Sequence, residues 1–330
     1  MILDAYLYTQ NATLLEEYLP IVTLTIDFFR QHYHNCTTDG KMVVWPTQVL
    51  ETYWCGPTAN GTYWDTSVTP SCPPSNCCVD DMPTVAALHS LLERVLQLPE
   101  RFTTAVQRVQ WVAFSAILPK IPLTADGRCL AAAGNVSEGI HNSETPELYS
   151  VHPFRVYTKA RSITRGVDSS HAMSCLHKDA GCGPTCGNAR GNSGWNQGVM
   201  DAALLGDSEM AWRFVAQRAA QKPAVGYRFI GFAAHYQDSQ PSADHFANMN
   251  SALNWMLVQP GDDGYTNSTV VLLPAWPCQF SVKFKLAAPG ATVVEVDYEG
   301  AATGNGALAS LVVTPEGRKS NVVFANCVGV

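Results

Sequence analysis

The spacing of the apolar residues changes once along this chain, near Tyr265, and that switch restricts the fold more than any single motif. Before it, apolar side chains return at steps of three and four, the spacing of one helix face. After it, "STVVLLPAW", "FSVKFKLAA", "ATVVEVDYEG" and "ALASLVVTPE" alternate, are rich in β-branched residues and are separated by Pro and Gly. Runs of helices followed by runs of strands give two packed units, not an alternating α/β sheet. The expectation is a mainly α chain with a β tail. A helical domain covers residues 1–264, and an antiparallel β domain of four or more strands, finished by "SNVVFANCV", covers 265–330.

Within the helical part, Leu15, Leu19, Val22, Ile26 and Phe29 form one clean face, although Pro20 inside it should kink or break the helix. Val85, Leu88, Leu92 and Val95 form a second face, opened by Pro83 in a first turn. "PERFTTAVQRVQWVAFSAIL" follows after a short joint, which predicts a helical hairpin. "TPELYSVHPFRVYTKARSI", "SGWNQGVMDAALLG" and "DSEMAWRFVAQRAA" also read as helices, with Gly206 as a stop and Asp207 as an N-cap. The last helix carries Phe246, Met249, Leu253 and Met256. Residues 34–82, 119–144 and 162–194 read as long polar loops, which are uncommon unless they build a site.

The formal charge of −7 argues against a nucleic-acid partner, and no apolar run is long enough to span a bilayer. Eleven cysteines in loop-like text, with Asn-x-Ser/Thr sequons at Asn11, Asn35, Asn60, Asn135 and Asn267, favour a secreted or lumenal glycoprotein stapled by disulfides. Cys175, His177, Cys182 and Cys186 lack the paired spacing of a zinc knuckle, and no metal or other cofactor is signalled. No signal peptide opens the chain, so an exported protein would start upstream of this Met1.

Chemistry-bearing residues gather in four stretches. Glu51 follows a Pro-Thr turn and is flanked by Trp45, Gln48, Tyr53 and Trp54. A carboxyl enclosed by rings resists ionisation and suits a general acid, while an exposed Glu at a core edge is the plain alternative. Asp244, with His245 beside it and Asp238 upstream, reads as an N-cap or as a rigidly held base. "HNSETPELYSVHPFR" holds Glu144, Glu147, Tyr149, His152 and Arg155, either a lined pocket or a solvated face. Trp195, Asn196 and Gln197 fit a sugar platform with amide donors, or a core Trp with its neighbours. Trp276 closes the strand "VVLLPAWP". No nucleophile elbow, phosphate loop, H-E-x-x-H or dinucleotide fingerprint is present.

With "ETPELYSVHPFR", "ADHFANMNSALNWMLVQ" and "LLPAWP…FKLAAPGATVVEV" in this order, the chain resembles the six-hairpin glycosidase superfamily. It is similar to the catalytic (α/α)6-barrel and β domain of glycoside hydrolase family 95, inverting enzymes acting on terminal α-L-fucose or α-L-galactose, and to an uncharacterised related branch. The resemblance implies an α/α toroid, apparently incomplete at its N-terminal side, with Glu51 as general acid and Asp244 as general base. The residues expected to bind the carbohydrate are Gln48, Trp54, Glu147, Tyr149, His152, Trp195, Gln197, Asp238, His245 and Trp276. The family's paired asparagines upstream of the acid are not in this sequence, and its His-rich sugar-reading motif is replaced by Pro146–Tyr149. Two other readings stay open. One is a non-catalytic carbohydrate-binding relative or fragment, and the other a polysaccharide lyase using Tyr149, His152 and Arg155.

Overall fold

The computed structural model describes residues 1–33, 37–45, 47–53, 78–136, 140–142, 144–187, 196–220, 243–304 and 306–327, without the side chains of residues 243 and 245. It is helix-rich, with small sheets towards the C-terminus. Helices α1 (Ile2–Thr9) and α2 (Ala12–His32) meet at Asn11, whose side-chain oxygen accepts from the Leu14 amide at 3.0 Å and caps α2. Pro20 does not end α2. The carbonyl it leaves unpaired belongs to Glu16, and both residues are exposed, so water satisfies it.

Asp81 caps α3 (Met82–Leu96) through the Thr84 amide at 2.8 Å, and Thr104 and Gln107 close a reciprocal capping box on α4 (Ala105–Ile117). The predicted joint between them is a short 3-10 turn, Glu100–Phe102. Leu15, Leu19, Val22 and Ile26 of α2 interlock with Val85, Leu88, Leu92 and Val95 of α3 and with Trp111 and Phe114 of α4. Fully burying such a side chain stabilises by about 1.5–3 kcal/mol.

The stretch predicted as one helix over 145–163 is not one. Pro146 starts a 3-10 turn, Pro146–Ser150, and the chain then bends through Arg155 at φ 51° before α5 (Lys159–Arg165) begins at its Thr158 cap. Pro153 cannot donate to Tyr149 and excludes the helical path. The predicted loop 162–194 contains α6 (Ser170–His177). Next come α7 (Gly198–Leu205), stopped at Gly206, and α8 (Ser208–Ala220), where Asp207 accepts from the Met210 amide at 2.9 Å. The last α-helix is α9 (Ala243–Leu257), and it buries Ala252 and Met256.

The single sheet expected in the tail is two sheets. One is β5 (Val282–Ala288), β6 (Thr292–Glu299) and β7 (Ala307–Thr314), antiparallel throughout. The other is β3 (Val258–Pro260), β4 (Val270–Leu272) and β8 (Val322–Phe324), in which β4 and β8 run parallel. A short pair, β1 (Val79–Asp81) and β2 (Ala133–Asn135), lies inside the helical part.

The boundary expected at 264/265 falls between β3 and β4, which are paired strands. Val294, Val296 and Tyr298 of β6 share one core with Val199 to Leu205 of α7 and Met256 of α9. The β5–β6 turn also docks on the first helix, with the Gly290 and Ala291 amides donating to the Leu7 and Tyr8 carbonyls at 2.8 and 3.0 Å. Gly290 stands there at φ +74°, and a Cβ would lie 2.9 Å from the Arg318 guanidinium, so only glycine fits.

The α2–α3 contact gives a first expectation. Leu92→Ala should lower the unfolding free energy by about 2–5 kcal/mol. Leu24→Ala, on the solvent side of α2 at 68% exposure, should stay within about 0.5 kcal/mol. Urea unfolding midpoints at unchanged slope read the difference, and equal losses would contradict this packing.

Candidate functional site

The site begins at a tight turn. Leu50 takes φ 53°, Val49 bridges to Tyr53, and Tyr53 bridges to Ile140, which lays residues 47–53 against residues 140–142. Gln48 spends its amide on this turn, donating to the Leu50 and Tyr53 carbonyls at 2.9 and 3.2 Å. Glu51 stands exposed at the tip, not enclosed by rings, and its Oε2 accepts from Asn142 Nδ2 at 3.1 Å.

The enclosed carboxyl is Glu144, one layer in. Thr52, fully buried, donates to its Oε2 at 3.3 Å. Burial raises the Glu144 carboxyl above its ordinary range, and the Glu51 charge adds to that shift. Tyr149 is next. Its hydroxyl accepts from Gln197 Nε2 at 3.4 Å, and burial, followed by the Glu144 charge, keeps the phenol protonated far beyond neutrality.

Gln197 follows Asn196 in the chain, and Asn196 belongs to a second polar group. The Asn196 side chain accepts from the Gly198 amide at 2.9 Å, which starts α7, and its carbonyl accepts from Arg218 at 2.5 Å and from Asn248 at 3.4 Å. Arg218 is fully buried. Burial lowers its pKa to about 10, and the charge of Asp244 opposes that shift. The path from Glu51 through Glu144 and Tyr149 ends at Gln197, and a second polar group, Asn196, Arg218 and Asp244, adjoins it through the chain at Asn196–Gln197, not through a side-chain contact.

Other expected residues lie elsewhere. Glu147 is 1% exposed. Its Oε1 accepts from Thr185, which contacts Tyr53, and its Oε2 is buried without a partner among the described residues. Burial pushes the Glu147 carboxyl up. A Cβ at Gly183 would come within 2.8 Å of Glu147 Oε1, so the loop over this acid needs glycine there. Disulfides Cys129–Cys182 and Cys175–Cys186 tie that loop down, which commits three of the four zinc-knuckle candidates to S–S bonds. Glu147 thus lies beneath a stapled loop, not on a pocket wall.

Trp276 is buried too. Its indole donates to the Phe280 carbonyl at 2.8 Å and its ring meets Trp212 edge-on at 5.7 Å, the behaviour of a core tryptophan. His152 faces a separate cavity beside α1 and α3, and burial, then Arg155, lower its imidazole to about 4. Arg155 is held by Asp4 and Asp262, so the Tyr149, His152 and Arg155 set of a lyase is not assembled around one space. Trp54, Trp195, Asp238 and the His245 side chain lie outside the described residues.

Sequence reasoning passed over Asp201. It is the one acid in the otherwise apolar helix "GVMDAALL", it is 2% exposed, and its Oδ1 has no partner among the described residues. Burial raises this carboxyl well above its ordinary range, against a lowering by the His152 amide, and its charge bears on Tyr149. That lone acid at a core position was the available signal. No family model and no curated protein matches this chain.

The folded chain keeps a proton on Asp201 that the unfolded chain releases above about pH 4. Its contribution to stability is therefore complete below that pH and is lost as pH rises towards the folded pKa. Asp201→Asn replaces the protonated acid by a neutral group of the same shape. Its melting temperature, relative to wild type, should climb as pH rises above about 4. A difference that does not vary with pH would show that Asp201 is ionised in the fold.

Proposed function

We propose that this chain is a secreted, carbohydrate-acting α/α-barrel protein with a β tail. In this reading it hydrolyses a terminal sugar, an α-L-fucoside or a close relative, with inversion. The observation that carries the reading is a pair of polar groups that adjoin at Asn196–Gln197, with Glu51 and Glu144 in one and Asp244 in the other. Inverting hydrolysis needs an acid on the leaving-group side and a base that orders water on the opposite face, with the carboxyls roughly 6.5–9.5 Å apart. The amides and phenol between them are the kind of donors that read sugar hydroxyls. Three disulfides among the described residues fit an oxidising compartment, and no described helix is long and apolar enough to cross a membrane.

In this mechanism Asp244 takes a proton from the attacking water as its oxygen bonds the anomeric carbon. The glycosidic oxygen leaves with a proton from the acid end. The family resemblance gives that proton to Glu51, the exposed carboxyl. Glu144 lies directly behind it, and its environment keeps it protonated to higher pH than an open glutamate, so it forms the second half of the acid end.

Nitrophenyl and alkyl α-L-fucosides test the proposal. Glu51→Gln should lower kcat on the alkyl glycoside by roughly 10²–10⁴. It should spare the nitrophenyl glycoside, whose leaving group needs no proton. Asp244→Asn should lower both. The first-formed sugar, followed by proton NMR, should be the β-anomer. If Glu144→Gln takes the loss and Glu51→Gln does not, the proton donor is Glu144. Binding without turnover would give the non-catalytic reading, and an unsaturated product absorbing in the ultraviolet would give the lyase.

A further inference from the structure

A cavity of about 740 Å³ lies between α1, α2, α3 and the 152–155 turn, on the opposite side of that turn from Tyr149. Its walls are mainly apolar, formed by Ile21, Leu91, Phe154 and Trp255 among others, and its polar groups gather around Asp4, Arg94 and Arg155. That volume falls within the roughly 300–1,000 Å³ of small-molecule sites, and an apolar body with a few convergent polar groups is their usual make-up.

The polar end is built from paired arginines and carboxylates. Asp4 Oδ1 accepts from Arg94 at 2.9 Å and from Arg155 at 2.8 Å, and Arg155 also pairs with Asp262 at 3.1 Å. Behind them, Arg161 and Arg165 both pair with Glu93. At the cavity, Arg94 and Arg155 are thus matched by Asp4 and Asp262, and the unmatched guanidinium lies behind them, in the Arg161, Arg165 and Glu93 group. His152 adds none near neutrality, because burial holds its imidazole at about 4. Arg94 faces the cavity while giving Asp4 a single Nη2 contact and touching Tyr265. A guanidinium has five N–H donors, so part of its fork remains for a ligand.

We propose that this cavity binds an amphipathic monocarboxylate, with the carboxylate on Arg94 and an aliphatic body against Ile21, Leu91, Phe154 and Trp255. Asp4 opposes an anion here, so the attraction rests on the Arg94 donors that Asp4 leaves open. The site uses none of Glu51, Glu144 or Asp244, so it stands apart from the glycosidase reading.

Calorimetric titration of the whole chain with decanoate, and with decanol as an uncharged analogue, tests the proposal. Decanoate should bind saturably with one site, and decanol roughly tenfold more weakly or worse. Arg94→Met should remove that preference while leaving decanol binding unchanged. Ala87→Phe places a ring in the cavity and should abolish binding of both, with near-ultraviolet circular dichroism and melting temperature retained. If Arg94→Met does not fold, the decanoate–decanol comparison and Ala87→Phe decide the matter. Absence of saturable decanoate binding, equal affinity for decanol, or full binding by folded Ala87→Phe would each overturn the proposal. Fucoside hydrolysis is a separate readout, so failure of either reading leaves the other standing.

Discussion

Arg155 holds the molecule together. Its guanidinium reaches Asp4 on α1 and Asp262 after β3, while Asp4 also accepts from Arg94 on α3. Burial alone would strip charge from both Asp4 and Arg155. The neighbouring opposite charges reverse that, holding the Asp4 carboxyl well below its usual range and the Arg155 guanidinium above its own. Removing one member of such a buried group leaves an uncompensated charge, which typically costs about 3–5 kcal/mol. This ionic knot lies where the core around α2, α3 and α4 meets the core around α7, α9 and the sheets. Helix α3 contributes side chains to both cores and the β5–β6 turn is hydrogen-bonded to α1, and the knot adds ionic contacts to that junction.

The same turn that carries Arg155 also organises the chemistry. Residues 144–149 place Glu144 and Tyr149 on the polar path, and residues 152–155 place His152, Phe154 and Arg155 on the cavity. Pro146 and Pro153 bound this segment and deny it a helical path, so neighbouring side chains point to different spaces. A continuous helix there would have returned Tyr149 and His152 to one side. The stapled loop above Glu147 stiffens the outer wall, since the two disulfides and the contacts from Lys178 to the Gly183 and Pro184 carbonyls, at 2.7 and 2.8 Å, restrain one short stretch.

Much of the helical part was legible in the sequence because three- and four-residue spacing reports a buried face directly. Leu15 to Ile26 and Val85 to Val95 fall on the core as expected, and Asp207 caps where expected. What was not legible depends on contacts between distant residues. β4 and β8 pair in parallel about fifty positions apart, and nothing local in "VVLLPAW" or "SNVVFANCV" records that partnership. Trp276, expected among the substrate-binding residues at the end of an apolar strand, instead gives its indole to the Phe280 carbonyl and packs on the Trp212 ring. Arg218 and Asp201 were missed because charge in a helix normally marks its wet face, whereas here each lies in the core.

The acids of the site differ in depth more than in sequence surroundings, and depth decides what each can do. Glu51, Glu144 and Glu147 all lie near aromatic residues, yet the first is exposed, the second half-buried and the third covered. A covered carboxyl with raised proton affinity holds its proton but cannot pass it to a ligand. An exposed one is open to a ligand. Glu144 is the intermediate case, since burial and the Glu51 charge act on it together while it remains within a few bonds of the surface. Proton transfer to a departing oxygen needs both access and retention of the proton. In the hydrolase proposed above, access would come from Glu51 and retention of the proton from Glu144, which burial and the Glu51 charge raise.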